Sequence, residues 1–199
     1  MSLLCFGGSF NPIHYGHLRT SQTVAERLQF SKVLLIPSAQ PPHKPLSADL
    51  AAPAHRLRMC QLATQELPLF EVSDIELQRS GPSYTLDTAR QLHALGIKKV
   101  DWLIGADMLR ILPSWHQAQT LIREVNFIII ARPGWSFDWQ QLPQEFQFLK
   151  EHVVEAPMID ISATQIRQRI GAGEPIDDLT PPAVARYIQE QKLYQIAVA

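Results

Sequence analysis

Leu3-Leu4-Cys5-Phe6-Gly7-Gly8-Ser9-Phe10-Asn11-Pro12-Ile13-His14-Tyr15-Gly16-His17 is the stretch that decides how this chain folds. Its first four residues are an apolar run without polar alternation, the pattern of a strand buried on both faces. Gly7 and Gly8 stop that run and let the backbone turn sharply and approach a ligand closely. From about Gly16 to Gln29 the spacing becomes helical, with Leu18, Ser21, Ala25 and Leu28 on one face and Val24 beside it. Val33-Leu34-Leu35-Ile36, ended by Pro37, is a second buried strand. Strand, glycine turn, helix, strand is a βαβ unit, so the two strands run parallel.

The alternation continues. After a proline-rich loop over 38–53 comes a helix from about His55 to Glu66, then a short strand at Phe70–Val72. The turn Ser80-Gly81-Pro82-Ser83 leads into a helix over Leu86–Leu95. Strands follow at Val100–Ile104, Phe127–Ala131 and Val153-Val154, and helices at Ile161–Ile170 and Pro181–Gln191. This predicts one α/β domain over residues 1–199, a doubly wound parallel sheet whose part from about 160 is helical. Ligands of such sheets sit beyond the carboxyl ends of the strands. Gly7-Gly8, Gly105-Ala106-Asp107 and Arg132 all fall at that edge.

Bulk properties narrow the function. Hydrophobic residues make up 46% and charged residues 19%, which supports a packed core and excludes a disordered chain. A net charge of −1 gives no basic face for nucleic acid, so an anionic ligand must be held by a few placed groups. Cys5 and Cys60 form neither a CxxC pair nor a zinc spacing and read as reduced core thiols, as in a cytoplasmic protein. No basic leader and no apolar run of membrane-spanning length is present, so no membrane partner is expected. The sequence leaves open whether the chain forms homo-oligomers.

His14 and His17 carry the first chemical signal. At a helix start their spacing of three puts both imidazoles on one side, beside the unpaired N–H groups of the first turn. Together these make an anion site. A zincin-type site would want histidines four apart with a glutamate between them, and no third ligand is apparent, so no protein-borne metal is expected. For an isolated pair, two surface histidines would be the plain reading; the Gly-Gly-Ser-Phe turn directly after a strand is what favours a ligand. The second signal is Ser162-Ala163-Thr164-Gln165-Ile166-Arg167. Ser162 and Gln165 fit a capping box, which needs no function. Thr164 in the first turn and the planar donor fork of Arg167 suit phosphate oxygens.

The segment Gly7-Gly8-Ser9-Phe10-Asn11-Pro12-x-His14-x-Gly16-His17 resembles the signature of the HxGH nucleotidylyltransferase superfamily. Pro41-Pro42-His43-Lys44, Ser83-Tyr84-Thr85, Ile104-Gly105-Ala106-Asp107, Trp115, Ala131-Arg132-Pro133-Gly134 and Ile161 to Arg167 follow in the order seen in bacterial nicotinate-mononucleotide adenylyltransferases. The resemblance spans nearly the whole chain. It implies a Rossmann-like nucleotidylyltransferase fold with C-terminal helices, and transfer of AMP from ATP to nicotinate mononucleotide with release of pyrophosphate. It implies ATP contacts from Gly7, Gly8, Ser9, Phe10, Gly105 and Asp107 on one side and from Ile161, Ser162, Thr164 and Arg167 on the other. His14, His17 and Arg167 would be catalytic. Lys44 and His43 would approach the acceptor phosphate, Ser83, Tyr84 and Thr85 the pyridine carboxylate, and Trp115 the ring; Arg132 would reach a phosphate or an adenine edge. Trp115 is followed by His116, where the family pattern has an aromatic such as Tyr.

The implied chemistry fits the residues. The acceptor phosphate, with a second pKa of about 6, is already anionic near neutral pH. It needs no general base to attack the α-phosphorus in line. Positioning and charge neutralisation by His14 and His17 would then suffice. Mg2+ would be carried on the ATP β- and γ-phosphates, needing no protein cage. Alternatives are a sister enzyme taking nicotinamide mononucleotide or phosphopantetheine, or a nucleotide sensor without catalysis. A synthetase fragment with a HIGH-like motif would need a KMSKS-like lysine loop, which is lacking.

Overall fold

A computed structural model describes residues 2–42, 49–156 and 159–195. Six strands, β1 (Leu3–Gly8), β2 (Lys32–Pro37), β3 (Phe70–Val72), β4 (Asp101–Gly105), β5 (Asn126–Ala131) and β6 (Val153–Glu155), form one sheet in the order β3-β2-β1-β4-β5-β6. Every pairing is parallel. That is the doubly wound order, and it reverses direction between β1 and β4. The helices are α1 (Tyr15–Arg27), α2 (Pro53–Thr64), α3 (Thr85–Ala94), α4 (Ala118–Glu124), α5 (Ala163–Gly171) and α6 (Pro182–Glu190).

Each strand divides its side chains between two cores, because successive residues point to opposite faces. Leu4, Val33, Leu35, Leu103, Ile128 and Ile130 pack on one face with Leu18 and Val24 of α1, Met59 and Cys60 of α2, Ile166 of α5 and Val184 of α6. Cys5, Leu34, Ile36, Trp102, Ile104 and Ile129 pack on the other with Leu86, Ala89 and Leu92 of α3 and Leu121 of α4. Both thiols are free and fully buried.

The strands lie where the apolar runs put them, with ends moved by one or two residues. Leu28 does not join the buried face of α1; it caps the helix and is 43% exposed. Absent from the sequence reading are α4, short 3-10 turns over Ala106–Met108, Leu112–Ser114 and Trp139–Gln141, and a 3-10 segment over Gln144–His152. These pieces are too short, or too tightly wound, to show a 3.6-residue period.

The C-terminal part closes over the first loop. The Thr180 hydroxyl donates to the Ile13 carbonyl at 2.8 Å, and the Tyr15 N–H donates to Leu179 at 3.0 Å. The Tyr194 hydroxyl donates to the Asn11 side-chain oxygen at 2.8 Å.

Gly7 and Gly8 do not form the turn expected of them: they continue β1 in register with Ile36 and Pro37, neither has a positive φ, and what calls for glycine at Gly7 is close packing. A Cβ on Gly7 would lie 2.5 Å from the buried ring of Trp102. Gly7→Ala should therefore lower stability by about 1–3 kcal/mol through overpacking, read as a reduced midpoint in urea unfolding. An unchanged midpoint would contradict this packing.

Candidate active site

The carboxyl ends of β1 and β4 open onto a cavity of about 450 Å³ at the point where the strand order reverses. Gly7 and Gly8 at the end of β1 and Ser9 just after it line the cavity, as do Gly105 at the end of β4 and Asp107 beyond it. His14 and His17 enter from the start of α1, Ile161 from the residue before the α5 cap, and Ser83, Tyr84 and Thr85 from the start of α3. Trp115 and His116 complete the wall.

The two imidazoles are stacked, with centroids 3.7 Å apart and planes at 30°. Nδ1 of His17 accepts the His14 backbone N–H at 3.3 Å, which places the His17 proton on Nε2. Phe10 meets the His17 ring edge-on at 5.1 Å and is itself 1% exposed. His14 is 5% exposed, and its Nδ1 has no hydrogen-bond partner among the described residues. Burial pushes its pKa down to about 4. Gly16 makes room for that ring: a Cβ there would sit 2.8 Å from His14 Nδ1 and 3.4 Å from the Ile161 carbonyl. So the beginnings of α1 and α5 meet at Gly16. Ser162 caps α5, accepting the Gln165 N–H at 3.1 Å.

On the other side, the Ser83 hydroxyl accepts N–H groups from Ala39 at 2.9 Å and Gln40 at 3.3 Å, while the Ser83 N–H donates to the Gln40 carbonyl at 2.9 Å. Tyr84 caps α3 and stacks on His116, with centroids 4.1 Å apart and planes at 17°. The exchange of a larger aromatic for His116 thus keeps a ring against Tyr84. Trp115 contacts Phe127 edge-on at 6.2 Å.

Several expected site residues stand elsewhere. Phe10 is core and supports His17 from behind the wall. Ser162, Thr164 and Arg167 lie outside the cavity lining. Arg167 is held by Asp49, through Nε at 2.8 Å and NH2 at 2.7 Å, and donates to the Asn11 carbonyl at 3.0 Å. Arg132 is exposed after β5 and lies outside the lining as well. His43 and Lys44 fall outside the described residues.

Other residues at the site are absent from the sequence reading. Glu76, 3% exposed, lines the cavity beneath Ser83. Burial raises its pKa, opposed by hydrogen bonds from the Thr88 and Ser83 hydroxyls and by the charges of Arg79 and Arg56. Arg56, fully buried, donates to the carbonyls of Ala51 and Ser9 at 2.8 Å each and of Ala39 at 3.2 Å. Asn11 joins the same region through Asp49 and Ala51. Arg56 leaves a trace in the sequence, since Arg56, Met59, Cys60 and Ala63 have the spacing of one buried helical face. Glu76 leaves none.

A glycine-ended central strand at a sheet's reversal point, facing paired imidazoles and two helix starts, is the architecture of a nucleotide-binding α/β enzyme. The cytidylyltransferase-like family model matches residues 5–169. A probable nicotinate-nucleotide adenylyltransferase of Roseiflexus sp. strain RS-1 is 41% identical over 191 residues, covering 95% of this chain and 96% of its own. One of Salmonella gallinarum is 36% identical over 209 residues, covering 96% of this chain and 97% of its own. The solved Plasmodium falciparum nicotinic acid mononucleotide adenylyltransferase complexed with NaAD shares the fold, with a TM-score of 0.77, 21% identity and 98% of both chains covered. The chain belongs to the cytidylyltransferase-like family and, within it, to the nicotinate-nucleotide adenylyltransferases.

The buried imidazole has a consequence for stability. Its pKa moves from 6.5 to about 4 on folding. Between those values the unfolded chain binds a proton that the folded chain does not, so stability falls as pH drops through that window. The loss reaches at most about 3 kcal/mol. His14→Asn should flatten the pH dependence of unfolding between pH 6.5 and 4. An identical slope in the variant would show that His14 is not its source.

Proposed function

We propose that this chain transfers AMP from ATP to nicotinate mononucleotide, giving nicotinate adenine dinucleotide and pyrophosphate. The observation that carries this reading is that one cavity joins His14 and His17 to Tyr84, Thr85 and Trp115. A phosphate-binding corner and an aromatic corner thus share one space at the switch point. The homologues' names point to the same reaction.

In this reading ATP lies across Gly7, Gly8 and Ser9, with its α-phosphate at the imidazoles. The His17 Nε2–H donates to it, and the unsatisfied Nδ1 of His14 makes that ring the second partner. An anion there raises the His14 pKa again, so the site becomes more cationic as the substrate arrives. Gly105 and Asp107 face the nucleotide from the opposite strand, and Arg167 receives the outer phosphates. The acceptor's ring lies between Trp115 and the Tyr84–His116 stack, with its carboxylate at the start of α3. Lys44 and His43 would serve its phosphate, and Arg132 a phosphate or the adenine edge. The acceptor phosphate oxygen attacks the α-phosphorus and the bond to pyrophosphate breaks; no side chain need take a proton.

Among the described residues no group of three or more His, Cys, Asp and Glu is placed to hold a metal. Mg2+ would be carried on the ATP β- and γ-phosphates, where a hard cation finds oxygen ligands and would neutralise the leaving group. No helix among the described residues is long and apolar enough to cross a membrane, and a cytoplasmic setting suits the two buried thiols. Homo-oligomer formation stays a separate question from catalysis in this reading.

The test is pyrophosphate release with ATP, Mg2+ and nicotinate mononucleotide, nicotinamide mononucleotide or phosphopantetheine. Turnover fastest with the acid is expected. No turnover with either pyridine nucleotide would overturn the reading, and turnover with phosphopantetheine alone would assign the chain to a sister activity.

Arg167 adds a second expectation. Its partner Asp49 is 48% exposed, and an ion pair that open contributes no more than about 1 kcal/mol. A triphosphate competing for Arg167 should gain from its removal. Asp49→Asn is expected to lower the KM for ATP up to about fivefold and leave the acceptor KM unchanged. A higher KM for ATP would mean that Asp49 holds Arg167 in its working position.

A further inference from the structure

Two oppositely charged side chains lie buried under the floor of the cavity without touching each other. Arg56 is fully buried, and Glu76 is 3% exposed. Between them lie the 39–40 peptide and Ser83, whose hydroxyl also accepts the Ala39 N–H at 2.9 Å, and Glu76 has a nearer cation in Arg79 at 3.8 Å. Arg56 NH2 donates to the Ala39 carbonyl at 3.2 Å. That carbonyl shares its peptide unit with the Gln40 N–H, which donates to the Ser83 hydroxyl at 3.3 Å. The Ser83 hydroxyl, with both N–H groups on its oxygen, lines the cavity together with the Glu76 carboxylate, whose negative charge it favours and which accepts from Thr88 at 2.6 Å.

Every dipole in this line points the same way, from the guanidinium to the carboxylate. The cation polarises the Ala39 carbonyl and makes the Gln40 N–H a stronger donor. The anion polarises the Ser83 hydroxyl and makes its oxygen a stronger acceptor. Aligned bonds in a low-dielectric interior strengthen one another. The ends of the line are tied to opposite halves of the cavity. Arg56 NH1 holds the Ser9 carbonyl at 2.8 Å, in the loop after β1. Glu76 lies under Ser83, just before the start of α3.

We propose that Arg56 and Glu76 are positioning residues that work as a pair, fixing the spacing between the ATP-side loop and the acceptor turn through the 39–40 peptide. This rests on the AMP-transfer reading for its kinetic consequence and on the hydrogen-bond line alone for its structural one. An in-line attack needs the two reacting groups held at contact distance, and a displacement on the order of 1 Å costs up to about 100-fold in rate. Neither side chain need touch a substrate to control that distance.

The experiment uses Glu76→Gln, Arg56→Lys and the double variant, each checked for wild-type-like thermal unfolding. Each single variant should lower kcat about 10- to 100-fold while both KM values stay within about threefold. Because the pair acts as one unit, the double variant should fall no more than about twofold below the worse single. Amide exchange followed by NMR supplies a readout independent of turnover. Either substitution should speed exchange at Gln40 about tenfold, since each weakens the same line.

Unchanged kcat in a folded single variant, multiplicative losses in the double variant, or Gln40 exchange that responds to one end only would each overturn the proposal. If the wild-type protein turned over no acceptor, the AMP-transfer reading would fail, and the exchange rates would still decide the coupling. Should Arg56→Lys fail to fold, Ser83→Ala cuts the same line at its middle. It should speed Gln40 exchange as Glu76→Gln does, and unchanged exchange would count against the line.

Discussion

The site depends on one buried guanidinium. A charge removed from water is costly unless all of its donors are met. In Arg56 the Nε and both terminal nitrogens reach a carbonyl, and the three carbonyls belong to segments far apart in the chain: Ser9, Ala39 and Ala51. The interaction works in both directions. The carbonyls make the buried cation tolerable, and the cation gathers the loop after β1, the loop after β2 and the approach to α2 into one floor. A neutral side chain of the same length would leave three carbonyls without donors in the interior.

Electrostatic economy marks the rest of the cavity. With a net charge of −1 the protein has no general attraction for a polyanion. It offers local donors whose charge depends on the ligand. His14 is neutral in the free chain because burial disfavours its imidazolium, and its stacking on His17 would set two cations face to face if both rings were protonated. An arriving phosphate reverses that balance. Arg167 is likewise neutralised within the fold, by Asp49.

The sheet was legible because its strands are unbroken apolar runs ended by Gly7, Pro37, Gly105 and Pro133, and buried parallel strands leave that pattern. The first loop was legible in part: His14 and His17 do line one cavity, but Gly7 and Gly8 extend β1 and make no turn, and glycine stands at Gly7 because the Trp102 ring leaves no room for a Cβ. The expectations for Phe10, Thr164, Arg167 and Arg132 came from position in a motif, and motif position does not say which way a side chain points. Phe10 turned inward, and Arg167 found a carboxylate from a loop more than a hundred residues away. Glu76 stayed invisible because its partners Ser83, Thr88 and Arg79 meet it only after α3 has folded back. Arg56 could have been noticed as a charge in an apolar helical stripe, which is the mark of a buried ion with a task.

Thr180, Leu179 and Tyr194 hold the loop between β1 and α1 from above. Synthesis runs from the other end, so the ribosome releases His14 and His17 long before their cover exists. Until the last fifth of the chain emerges, the Ile13 carbonyl and the Tyr15 N–H must find water instead. The loop that carries the two imidazoles is thus made early and covered only once residues 179 to 194 have followed.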